Sequence, residues 1–126
     1  MQLASWPCAV LAAAFIAAPI ASPAQGQTAR FDGSWSVEVV TEQGACDRAY
    51  RYNVVVQNGR LRYGGAESFN VSGQVRPNGA VAATISRGQD RAVVRGNLSG
   101  NFGRGTWATS GGRTCSGYWD AERRSR

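Results

Sequence analysis

Few side chains in this 126-residue chain can do chemistry, and what is missing narrows the field first. There is no histidine, and the single methionine is Met1. A Ser-His-Asp triad, a Cys-His dyad, a His-ligated zinc and a His-ligated haem therefore cannot be assembled. Carboxylates remain. Asp120 and Glu122 alternate on the outer face of the last strand, and Glu38 joins them if the first strand pairs with the last. Two carboxylates flanking a glycosidic bond are enough for acid/base work on a glycoside. Against this, the chain carries a net charge of +6, so its acids are needed as surface ion-pair partners. No apolar pocket is expected on that face to raise a carboxyl pKa. The chain reads as non-enzymatic, with no metal site and no cofactor.

Two other sets of residues could bind a partner. All 14 basic residues are arginine. Arg51, Arg60 and Arg62 fall on the outer face of one hairpin and make a positive strip. A guanidinium grips carboxylate, phosphate or sulfate with two hydrogen bonds at once. Anionic polysaccharide or lipid head groups are the partners such a strip would suit, although a wet sheet face also carries arginine simply as solvated charge. Nucleic acid is not expected, because no recognised binding motif accompanies the charge. The second set is aromatic. Trp35, Tyr50, Tyr52, Tyr63, Phe69, Trp107 and Trp119 all take inward parity on their strands. Seven large rings are expected to fill a small core, and lining a pocket is the alternative.

The elements that position these residues are strands. No helical period of useful length is present; short alternating runs recur between turn signals. The first strand is read over Gly33–Glu42, with Trp35, Val37 and Val39 on one face. The second is read over Cys46–Gln57. Asn58-Gly59 then marks a two-residue hairpin loop, because both residues tolerate the positive φ that a type I′ turn needs. That loop sets Val56 opposite Leu61 and Val54 opposite Tyr63, all on one face. Pro77-Asn78-Gly79 reads as a three-residue loop, setting Val75 opposite Val81, Gly73 opposite Ala83 and Val71 opposite Ile85. Later strands are read over Phe69–Arg76, Ala80–Arg87, Arg104–Thr109 and Thr114–Glu122, with Val94, Gly96 and Leu98 inward on the strand between. In the last hairpin Trp107 faces Gly117 and Gly105 faces Trp119, so each indole covers a glycine of the neighbouring strand. Eight consecutive strands with short connections predict an all-β, antiparallel up-and-down meander, closed or nearly closed into a barrel, with an open curved sheet or two-layer sandwich as the alternative.

The chain divides into a leader (1–24), a polar lead (25–30), one β domain (31–122) and a frayed basic tail (123–126). The leader combines an apolar run from Ala9 to Ala18 with the small residues Ser22-Pro23-Ala24, the pattern of a cleaved secretory signal. Cleavage after Gly26 is the alternative. The run is shorter than the roughly 20 residues a membrane span needs, so the mature chain has no span. Cys46 and Cys115 are the cysteines of the mature part. In an exported protein such a pair reads as a disulfide, with two free buried thiols as the alternative. The chain is expected in the periplasm or secreted.

Two resemblances follow from these motifs. Gly33-Ser34-Trp35 on the first strand, with Arg123 or Arg124 at the end of the last, resembles the calycin pattern. That pattern implies a barrel in which a basic residue from the last strand packs over the first-strand Trp. More of the chain resembles a family of small exported bacterial proteins of unknown function. The residues concerned are Phe31-Asp32-Gly33 with Trp35, Gly44-Ala45-Cys46-Asp47, Tyr50-Arg51-Tyr52, Asn58-Gly59, Gly103-Arg104-Gly105-Thr106-Trp107 and Cys115-Ser116-Gly117-Tyr118-Trp119. The haem and adhesion labels that some members carry are not transferred.

The expected role is a non-enzymatic envelope or extracellular protein with weak affinity for anionic envelope polymers. A calycin-like binder of a small apolar ligand and a barrel-type enzyme inhibitor are the alternatives. One outcome needs no ligand: the protein from its own source should begin at Gln25 or Gln27. Its intact mass should lie below that of the reduced form by the hydrogens of one disulfide. Thiol labelling of native Cys46 and Cys115 would contradict the pairing.

Overall fold

The computed structural model describes residues 12–14, 29–65 and 69–126. Apart from residues 12–14, the expected leader lies outside the described residues, as do its cleavage site and most of the polar lead. Eight strands follow one another: Gly33–Gln43 (β1), Ala49–Gln57 (β2), Arg60–Tyr63 (β3), Asn70–Val75 (β4), Ala80–Arg87 (β5), Asp90–Ser99 (β6), Phe102–Gly111 (β7) and Ser116–Ser125 (β8). Each pairs antiparallel with the next, and β1 also pairs with β8, so the meander closes into a barrel. Closure leaves no exposed edge for another chain to extend.

Turn chemistry sets the registers. Asn58 and Gly59 adopt φ of 51° and 74°, the left-handed pair of a type I′ loop, and Val56 faces Leu61 while Val54 faces Tyr63. After Pro77 the three-residue loop holds: Val75 faces Val81, Gly73 faces Ala83 and Val71 faces Ile85. Several strand limits differ from the sequence reading, three of them with a consequence for the site. β2 begins at Ala49, leaving Cys46 in the preceding loop. β7 begins at Phe102, because Gly100 and Asn101 alone form the turn and Ser99 pairs with Phe102. β8 continues to Ser125 through residues read as a frayed tail, since Trp35 and Ser34 of β1 pair with Arg123 and Ser125.

Alternation puts apolar residues in the lumen and polar ones outside. Along β8, Trp119 and Ala121 are buried while Asp120 and Glu122 are exposed. Cys46 and Cys115 are bonded, with Cα atoms 6.1 Å apart and a sequence separation of 69. The bond ties the β1–β2 loop to the β7–β8 loop at one end of the barrel. Removing loop-closure entropy over such a span contributes about 4 kcal/mol in the chain-entropy model.

The indole and glycine pairing is present. Gly105 faces Trp119 and Trp107 faces Gly117. The Trp119 indole lies across Gly105 and donates its Nε1–H to the Arg95 carbonyl on β6 at 3.1 Å. Trp107 reaches the opposite way, to the Val40 carbonyl on β1 at 3.0 Å. A Cβ at Gly105 would meet the Arg95 carbonyl oxygen and stand 2.6 Å from Trp119 Nε1. Gly105→Ala should therefore cost about 1–3 kcal/mol in urea unfolding, the usual range for overpacking. Gly111→Ala, whose added methyl meets only the Gln89 carbonyl oxygen at 3.5 Å, should stay within about 0.5 kcal/mol. Equal costs would contradict the close-approach account.

Candidate functional site

One end of the barrel is shut. Phe31, just before β1, is buried, as is Trp35. The Trp35 Nε1–H donates to the Phe31 carbonyl at 2.9 Å. The Arg123 guanidinium stands over the Trp35 ring, 5.1 Å from its centroid. Its two terminal nitrogens donate to the carbonyls of Asp32 (3.1 Å), Arg30 (3.3 Å) and Gly100 (2.9 Å). Arg123 Nε is buried without a hydrogen-bond partner among the described residues. Burial first and Arg126 second push the Arg123 pKa down, while Asp32 opposes; an arginine keeps its charge through such a shift. The Asp32 carboxylate accepts from the Asn58 and Gly59 amides at 2.9 and 3.3 Å. Arg30 donates to the Pro77 carbonyl at 3.3 Å. The segment before β1 thus engages the β2–β3, β4–β5 and β6–β7 turns and forms a floor.

Above the floor the lumen is hollow. A cavity of about 470 Å3 runs up the barrel. All seven inward aromatics line it; Trp35, Trp107 and Trp119 are buried in the core as expected, but the seven together leave the lumen open. The reason is where they sit. The middle of the wall is built from Val37, Val39, Val54, Val71, Ala83, Ala92 and Val94, and side chains of that size leave the axis open. An eight-stranded barrel is wide enough to be packed solid or to hold one small ligand, depending on those side chains.

The opposite end is the mouth. Tyr52, Tyr63 and Phe69 meet edge to face, with ring centroids 5.4 to 6.2 Å apart, and Tyr50 leans on Tyr52 at 5.8 Å. This cluster covers the thinnest seam of the wall, because among the described residues β3 and β4 pair only at Arg60 and Gln74. Thr41, Asp47, Arg87, Asp90 and Arg113 add polar groups around the rim. Tyr50 is 46% exposed, so the aromatic wall reaches solvent.

The proposed anion strip is spread out. Arg51 faces Glu38 across β1–β2 and is ion-paired to it at 2.8 Å, with Ser36 Oγ as a second acceptor at 3.0 Å. Both groups are solvated, so the pair contributes little to stability. Arg60 and Arg62 are exposed on β3, near the floor, with Arg62 opposite Val55. Arg51 lies four residues beyond Val55 along β2, about 13 Å at strand rise. The carboxylates are likewise on the outer wall: Glu38 faces Asp120 across β1–β8, and Glu122 lies 3.6 Å from Arg124. None of these three acids lines the cavity. Among the described residues no group of acidic or cysteine side chains has metal-ligand spacing.

Two features go beyond the sequence reading. Arg123 stands over Trp35, as the calycin resemblance implies, but its hold on the floor carbonyls is an addition. Arg87 is inward, continuing the parity of Val81, Ala83 and Ile85, and its guanidinium lies 5.1 Å from the Phe69 ring centroid. The three-residue loop after Pro77 was enough to fix that parity. Comparisons with protein-family models, with curated proteins and with solved structures find no match. Function therefore rests on the geometry of this barrel.

Proposed function

We propose that the protein is an exported binder of a small apolar or aromatic molecule, which it holds in the barrel lumen without altering it. The observation that carries this reading is the cavity: about 470 Å3, walled by valine, alanine and aromatic side chains, sealed at the floor and open at the mouth. Ligand sites for small molecules span about 300–1,000 Å3 and combine apolar walls with a few polar groups. An apolar void of this size weakens the fold by its missing contacts, and the Cys46–Cys115 bond offsets part of that cost. A disulfide at the mouth also suits an oxidising compartment outside the cytosol. The Arg123 guanidinium over Trp35 has the arrangement implied by the calycin resemblance, which adds support.

Polyanion binding through Arg51, Arg60 and Arg62 is the weaker reading, because Glu38 already holds Arg51. The test of the lumen reading is a titration with N-phenyl-naphthylamine, an uncharged aromatic probe. Saturable probe fluorescence, with quenching of the lumen tryptophans, is expected. Ala92→Trp places an indole in the cavity from the β6 wall and should abolish binding without lowering the melting temperature. Binding that survives in folded Ala92→Trp, or no saturable binding by the wild type, would overturn the reading.

A further inference from the structure

The rim of the cavity is electrically uneven. Arg113 follows the β7–β8 loop glycines, and Asp47 sits beside Cys46; the disulfide holds these two loops together. Asp90 also turns that way: a Cβ placed at Gly112 would collide with Asp90 Oδ1. Arg113, Asp47 and Asp90 thus share one stretch of the rim. Arg87 ends β5, four strands from β1 in a ring of eight and outside the two disulfide-linked loops. Although Asp90 is its Cα partner across the hairpin, no ion pair joins them, and no carboxylate among the described residues lies within ion-pair distance of Arg87. Its guanidinium carbon lies over Phe69, 5.1 Å from the ring centroid, and Phe69 is the last ring of the cluster formed with Tyr52 and Tyr63.

We infer that the lumen ligand is an amphipathic anion: a flat apolar body that enters along the aromatic wall, with a carboxylate or sulfonate that Arg87 binds at the rim. This rests on the lumen-binding reading and specifies its ligand class. The physical case has three parts. The cation–π contact with Phe69 restricts the guanidinium before any ligand arrives, so less side-chain entropy is lost on binding. The planar N–H fork of an arginine suits a two-pronged hydrogen bond to an oxyanion. The position is at the boundary between the apolar lumen and water, where a ligand buries its body while its charge stays partly solvated, which avoids the penalty of burying an ion deep in the barrel.

The test compares two probes of one shape: anilinonaphthalene sulfonate and N-phenyl-naphthylamine, which differ only in the sulfonate. The sulfonate should bind wild-type protein about tenfold more tightly, as expected for a hydrogen-bonded charge at a partly solvated site. Arg87→Gln should erase that advantage and leave the uncharged probe unchanged. Arg60→Gln removes the same charge from the outer wall and should shift the sulfonate less than about twofold, reading bulk charge alone. Glu67, two residues before Phe69, lies outside the described residues; the Arg87 effect should persist in a Glu67→Gln background. Equal shifts in Arg87→Gln and Arg60→Gln, or no preference for the sulfonate, would overturn the anion inference while leaving the lumen reading standing. Failure of both probes to bind would overturn both.

Discussion

The structure depends on one stacked pair, Arg123 on Trp35. A closed barrel needs its first and last strands joined, and an eight-stranded one also needs an end that excludes water from its core. The same side chain serves both needs. Arg123 belongs to β8, stands on a ring from β1, and fastens the segment before β1 to the β6–β7 turn through the Arg30, Asp32 and Gly100 carbonyls. A lysine would supply the charge without the planar stack or the multiple fixed donors. The floor's other ties depend on the position of that segment. Asp32 reaches the Asn58 and Gly59 amides only because residues 29–32 are held across the base. The unpartnered Nε shows that the arrangement is not free of cost.

The floor permits the cavity. Apolar surface buried against Phe31, Trp35, Leu98 and Trp119 concentrates stabilisation at one end. The middle of the wall is then free to carry valine and alanine, and the mouth to present tyrosines to solvent. The disulfide closes the longest remaining weakness, the pair of loops farthest from the floor. Trp107 and Trp119 do a related job in the wall: each donates to a carbonyl two strands away, across a strand glycine, and so stiffens β6 to β1. At the β3–β4 seam, aromatic edges lie between short strands that pair at one position among the described residues. The contrast between the two sides of the wall suits the proposed binding in the lumen.

Local chemistry was legible in the sequence, and long-range chemistry was not. Asn58-Gly59 and Pro77-Asn78-Gly79 fix registers because turn dihedrals constrain the neighbouring pairs directly. The cysteine pairing and the closed meander followed from count and spacing. The calycin resemblance points to Arg123 or Arg124 over Trp35, and Arg123 stands there. Its acceptors include a carbonyl 91 residues earlier, which no local pattern reveals. The hollow lumen was hidden for another reason. Parity says which side chains point inward, not whether their volumes add up to the space enclosed. Seven rings seemed sufficient until the valines and alanines between them were seen to set the width. The sequence leaves the parity of Arg87 open, because it changes with the turn chosen, although the β4–β5 register fixes it inward.

Where a ligand sits decides the account most directly. Methyl-labelled protein should be examined by NMR with bound N-phenyl-naphthylamine, recording through-space contacts from the probe to alanine and valine methyls. Contacts to Val37, Ala83, Ala92 and Val94, which line the lumen, are the result the account requires. Contacts confined to Val93 or Ala108 on the outer wall, with the lumen methyls silent, would contradict it.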